Sequence, residues 1–165
     1  MSKVESFTDL YQQCVYPNEL LSTFLSGPLS VEFMLHKLAC ISDINNRSKY
    51  KRFTHYQLVN VNFEMGNITS EQKDVLLAIN KLRNRFAHEL SYLPTIQELT
   101  QLYEVAVSAF SDFTDGLIQG LGALKDITDI DEFEQWDMTE LFVQICYDLH
   151  EQYQLVGGDI ESFES

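Results

Sequence analysis

The 165-residue chain has 25 acidic residues against 11 lysines and arginines, a net charge of −14, and 45% hydrophobic residues. Such a composition excludes a disordered chain and weighs against nucleic-acid binding through overall charge. Three scattered cysteines (Cys14, Cys40, Cys146) exclude a disulfide framework or a paired-cysteine metal site, and no apolar run reaches membrane-spanning length.

In chain order, residues 3–26 read as one helix broken at Tyr16-Pro17, or as two short ones, with Phe7, Leu10, Tyr11, Cys14, Leu20, Leu21, Phe24 and Leu25 as apolar positions. Ser26-Gly27-Pro28 reads as a stop and restart. A helix over 29–45 follows, with Val31, Met34, Leu35, Leu38 and Ala39 or Ile41 inward. A polar connection at Lys49–Arg52 leads to a helix from about Thr54 to Met65, ended by Gly66. Thr69 and Gln72 have capping-box spacing and open a helix to about Leu90. Thr95 and Glu98 repeat that spacing and open a long helix through Leu121. An acidic connection over 126–137 leads to a last helix ending at Gly157-Gly158. The expected protein is one all-α domain of five to seven helices over residues 1–158, with a flexible acidic tail over 159–165.

The helix from Thr69 carries the chemistry. Val75, Ile79, Leu82, Phe86 and Leu90 form one apolar stripe, and Leu77, Lys81, Asn84 and His88 fall on the opposite side. Asn84 and His88, four apart, are neighbours, whereas Arg83 is about 140° from His88 around the helix. A histidine near neutrality moves the proton of a ribose 2′-hydroxyl or of a leaving oxygen, and an arginine clamps the phosphate as charge builds. Because the two diverge, either the long guanidinium swings round or a second copy of the helix supplies one of them, and a two-fold dimer with the motif helices close to its axis is expected.

The segment Leu82-Arg83-Asn84-Arg85-Phe86-Ala87-His88 resembles the Arg-x4-6-His signature of the HEPN superfamily, including the polar residue after the arginine. The resemblance is local, and the helical plan agrees with it over about residues 28–125. It implies a HEPN-like helical bundle with the motif late on a long helix and two motifs meeting in a dimer cleft. It also implies, as in many members, a metal-independent endoribonuclease of toxin–antitoxin or defence type, using no cofactor. Products would carry a 2′,3′-cyclic phosphate and a 5′-hydroxyl. One subgroup has a tyrosine two residues after the histidine; here that position is Leu90, and the nearest tyrosine is Tyr92.

On this reading Arg83, Asn84 and His88 are catalytic. Residues 47–88 hold eight of the eleven basic residues against three acids, whereas twelve acids and no base follow Lys125. Lys81, Arg85, Lys49, Lys51 and Arg52 are therefore the expected RNA contacts. Expected partners are RNA, a second copy through the motif helix and an antitoxin or regulatory protein, with no metal, no membrane and a cytoplasmic location. The alternative is a non-catalytic HEPN-like regulator or interaction module. His36 and Cys40, four apart, are two ligands short of a metal site, and His55 and His150 read as surface residues.

Overall fold

The computed structural model describes residues 19–89, 92–159 and 163. Over these residues the chain is all-α, as expected. Its helices are α1 (Glu19–Ser42), α2 (Arg47–Tyr50), α3 (His55–Glu64), α4 (Ser70–His88), α5 (Ile96–Ala109), α6 (Gly116–Asp126) and α7 (Gln135–Leu155), with single 3-10 turns at Ile44–Asn46 and Ile130–Glu132. The expected break at Tyr16-Pro17, Cys14, Leu90 and most of the tail lie outside the described residues. No described helix is long and apolar enough to cross a membrane.

Local sequence sets the helix starts. The Gln72 amide donates to Thr69 Oγ1 at 3.2 Å and the Thr69 amide to Gln72 Oε1 at 3.0 Å. The same reciprocal box joins Thr95 with Glu98 and Thr54 with Gln57. Each box satisfies two amides that the helix itself leaves unpaired.

Tertiary packing overrides local signals in two places. Ser26-Gly27-Pro28 does not interrupt α1, which runs unbroken through Pro28. A proline inside a helix costs about 3 kcal/mol. Burial of Phe24, Val31, Leu35 and Leu38 along the same helix, at about 1.5–3 kcal/mol each, outweighs it. Gly27 is the point at which α1 meets α7: a Cβ there would lie 2.2 Å from Phe142 Cδ2. The glycine is a contact residue rather than a stop.

The long helix expected from Thr95 divides at Phe110. Asp112 and Asp115 adopt left-handed backbone angles, with φ of 50° and 60°, and the chain folds back as α6 onto α5. The buried Asp112 carboxylate accepts from the Leu117 amide at 2.7 Å and the Ile118 amide at 3.0 Å, capping α6 from upstream. Gly120 lets α6 close on the buried Tyr103 ring, 2.5 Å from where its Cβ would stand. As a result Phe113 (78% exposed), Ile118 and Val105, expected on the inner stripe, face solvent.

The core is continuous, and α1 is its spine, packed on α3, α4 and most extensively α7. Phe24 joins three helices: its ring centre is 5.0 Å from that of Phe86 on α4 and 5.5 Å from that of Phe142 on α7.

Gly27→Ala is expected to destabilise by about 1–3 kcal/mol through overpacking against Phe142, despite better helix propensity. Gly122→Ala, on an exposed face of α6 with no neighbour within 4 Å, is expected to gain about 0.5–1 kcal/mol. Asp112→Ala is expected to lose about 1–2 kcal/mol of cap. Urea unfolding of the three variants measures all of these.

Candidate functional site

A buried amide network seats the start of α4. The Asn62 side chain donates to the Leu35 carbonyl at 2.9 Å and the Leu58 carbonyl at 2.8 Å, and Asn67 Nδ2 donates to Asn62 Oδ1 at 2.9 Å. Gly66, at φ 75°, turns the chain between α3 and α4. From there Val75, Leu76, Ile79 and Phe86 are buried. Leu76 replaces Leu82 in the fully buried set, and Leu77 packs against the core instead of standing on a free back face. The apolar stripe is thus rotated toward α3 and α1 relative to the sequence expectation, because α4 contacts both of those helices as well as α5.

This rotation leaves Lys81, Asn84 and His88 exposed and separates them from Arg83. Arg83 is half-buried and turns inward: its Nη1 is 3.9 Å from Glu32 Oε2 on α1. The same carboxylate oxygen is 3.9 Å from Nδ1 of His55 at the start of α3. His88 occupies the last turn of α4, and neither its side chain nor that of Asn84 has a hydrogen bond or ion pair to a described residue. Within one chain, then, Arg83 and His88 serve different surfaces.

His55 is a correction. Expected at the surface, it is 2% exposed, and its Nε2–H donates to the Leu76 carbonyl at 3.2 Å. That bond fixes the tautomer and leaves Nδ1 buried without a hydrogen-bond partner. Burial pushes the His55 pKa below its ordinary 6.5; the bond to Leu76 opposes this and the Arg83 charge adds to it. Glu32 and His55 are the residues near the motif that sequence reading missed. Neither has a telling spacing to Arg83, since α1, α3 and α4 meet only in the folded bundle.

Arg85 is held by contacts within the chain. Its Nη1 donates to Glu98 Oε1 at 2.6 Å, its Nε is 3.4 Å from Glu89, and its guanidinium lies 3.8 Å from the centre of the Tyr92 ring. Tyr92 in turn packs on Phe86 at 5.1 Å, and burial with Glu98 nearby pushes its phenol up to about 12. These contacts pin the chain after α4 to the start of α5.

The expected basic strip divides as well. Lys49 lies over the Tyr50 ring at 5.8 Å, and Arg52 is exposed. Lys51 faces a hollow of about 260 Å³ that Glu32 also lines, so this lysine approaches the Arg83 side of α1. His36 and Cys40 approach as expected, with Sγ 3.7 Å from Nε2. Among the described residues no three histidine, cysteine or carboxylate side chains gather as possible metal ligands. His150, half-buried, stacks on Tyr153 and touches Phe163, so it too departs from the expected surface position.

Comparison with family models, curated proteins and solved structures finds no match to this chain.

The buried His55 makes stability depend on pH in a definite direction. Its folded pKa is below the unfolded 6.5, so the unfolded chain binds the extra proton, and stability falls as pH drops through about 6.5. Glu32 and Arg83 are the charged groups that face it. His55→Gln keeps a donor for the Leu76 carbonyl but cannot titrate. Urea unfolding between about pH 7 and pH 5 is expected to show a shallower loss in this variant than in the wild type.

Proposed function

We propose that this chain is a HEPN-like metal-independent endoribonuclease that acts as a two-fold dimer. The observation that carries this reading is the last two turns of α4: Asn84 and His88 stand exposed on a helix whose other side is locked into the core. The Arg-x4-His spacing supplies the chemistry. His88 takes the proton of a ribose 2′-hydroxyl, the 2′-oxygen attacks phosphorus, and the 5′-oxygen leaves with a proton from the facing His88. The products are a 2′,3′-cyclic phosphate and a 5′-hydroxyl. Arg83 stabilises the charge that gathers on the phosphate, and Asn84 orients the phosphate or His88. Because Arg83 points toward α1 and α3 of its own protomer, the reading needs a second α4 to bring an arginine and a histidine to one phosphate. A toxin or defence role, with an antitoxin or regulator as partner, rests on the resemblance alone, and a cytoplasmic location on the three scattered cysteines.

One observation favours the second reading, a non-catalytic interaction module. Glu32 lies beside Arg83 and partly neutralises the guanidinium that would meet phosphate.

The two readings separate on purified protein incubated with total RNA in the presence of EDTA. Under the first, the wild type cleaves. His88→Ala and Arg83→Ala each lower the rate on the order of 10²-fold, and light scattering at tens of micromolar shows a dimer. Cleavage that survives both substitutions or is abolished by EDTA, or a monomer under these conditions, refutes the assignment. Intact RNA with a dimer through α4 leaves the interaction module.

A further inference from the structure

The buried imidazole of His55 has one nitrogen with nothing to bond. Its Nε2 is committed to the Leu76 carbonyl at 3.2 Å. Nδ1 is buried and has no hydrogen-bond partner, and the side chain as a whole is 1% exposed. A neutral imidazole tolerates this, because Nδ1 then carries only a lone pair. A second proton has to sit on Nδ1, and a charged ring buried there needs a counter-ion. The Glu32 carboxylate on α1 is the anion within reach, its Oε2 3.9 Å from Nδ1.

That same oxygen is 3.9 Å from Arg83 Nη1. One carboxylate thus stands equally far from two groups on different helices, α3 and α4, and closes on neither. Both distances exceed the roughly 2.7–2.9 Å of a charge-assisted hydrogen bond, so a change of rotamer at Glu32 can close either one. Solvent decides which partner gains. The Arg83 and Glu32 side chains are 28% and 29% exposed, so water hydrates a released guanidinium. The His55 ring has no such alternative, and an imidazolium there holds the carboxylate more strongly than the guanidinium does.

Facing His55 are Glu32 from α1 and Arg83 from α4, whose charge opposes protonation of the ring. The other charged residue of α3 is Glu64, at the opposite end of that helix. Among the described residues, Lys51 and His36 line the same hollow as Glu32. A lysine keeps its charge across the neutral range and biases Glu32 by a constant amount. His36 is a rival: burial and Lys37 lower its pKa, while Glu32 acts on it in the opposite sense.

We infer that Glu32 is a proton-controlled positioning residue for Arg83. While His55 is neutral, the carboxylate draws the guanidinium toward α1. When His55 takes a proton at Nδ1, the carboxylate turns to the ring and the guanidinium is released to the surface. The proton adds one positive charge to the cluster, and Arg83, the cation with solvent beside it, displays that charge. Burial holds the His55 pKa below its ordinary 6.5, so the exchange takes place on the acid side of that value and is absent above it. Use of the released charge on a phosphate rests on the ribonuclease reading; the exchange itself does not.

The test is nuclear magnetic resonance of the full chain between about pH 7.5 and pH 5, following the imidazole nitrogens of His55 and the Nε–H of Arg83. His55→Gln and Arg83→Ala assign the two signals, and circular dichroism establishes that each variant is folded. In the wild type the Arg83 signal is expected to move with the same midpoint as the His55 ring. Glu32→Gln is expected to lower the His55 midpoint and to abolish the linked movement at Arg83, whereas Arg83→Ala is expected to raise the His55 midpoint. His36→Gln is expected to leave the linkage in place. An Arg83 signal that stays still while His55 titrates overturns the proposal. So does linkage that persists in Glu32→Gln or disappears in His36→Gln, or a chain that unfolds before His55 takes up its proton. RNA cleavage gives a separate reading. The rate of Glu32→Gln relative to the wild type is expected to be several-fold above one near pH 7.5 and to fall toward one as His55 is protonated. The ratio cancels the titration of His88, which both proteins share. A ratio that does not change with pH, in proteins that cleave, overturns the positioning role. RNA left intact by both proteins refutes the ribonuclease reading instead, and the resonance data then decide the exchange alone.

Discussion

The close approach of α1 to α7 at Gly27 is the contact on which the rest of the bundle depends. With no side chain at that position, the Phe142 ring lies where a Cβ would stand, and Phe24, one turn earlier, can touch Phe142 and Phe86 together. Three helices far apart in sequence are thereby held around one ring cluster. The helix that pays most for this is α1, which keeps Pro28 in its interior. It does so because the apolar area buried on both sides of the proline is worth several times the lost hydrogen bond.

That contact also decides what α4 can present. With Phe86 pinned to Phe24 and Arg85 pinned to Glu98 and Tyr92, the last turns of α4 cannot rotate. Asn84 and His88 are left outward and Arg83 inward, beside Glu32 and the buried His55. A helical spacing of five places two side chains about 140° apart, and here the surrounding helices give those two directions different surroundings, one solvent and one a half-buried carboxylate. Within one chain, therefore, Arg83 and His88 do not face a common point.

Charge is distributed on the same logic. Many of the acids are exposed, where water and salt screen them. Several basic residues instead do local work: Arg85 joins α4 to α5, Lys73 covers the Phe63 ring at 4.4 Å, and Lys37, Arg47 and Lys51 surround one cavity. The net charge of the chain is thus a poor guide to the potential at any one place on it.

How much was legible in the sequence follows from the range of each interaction. Helix starts at Thr69 and Thr95 were readable because a capping box closes over four residues and needs nothing else. The all-α class and most core positions were readable because a 3.6-residue apolar period survives in any bundle. The exposure of Asn84 and His88 belongs to the same local pattern. Tertiary structure alone decided that Gly27 is a contact and not a stop, and that the helix after Thr95 folds back at Asp112. It alone decided that His55 is buried against Leu76, and that Glu32 stands between His55 and Arg83. Each of these depends on a partner 20 or more positions away or on a left-handed turn at an aspartate, and local periodicity carries no record of which distant helix will supply the neighbour.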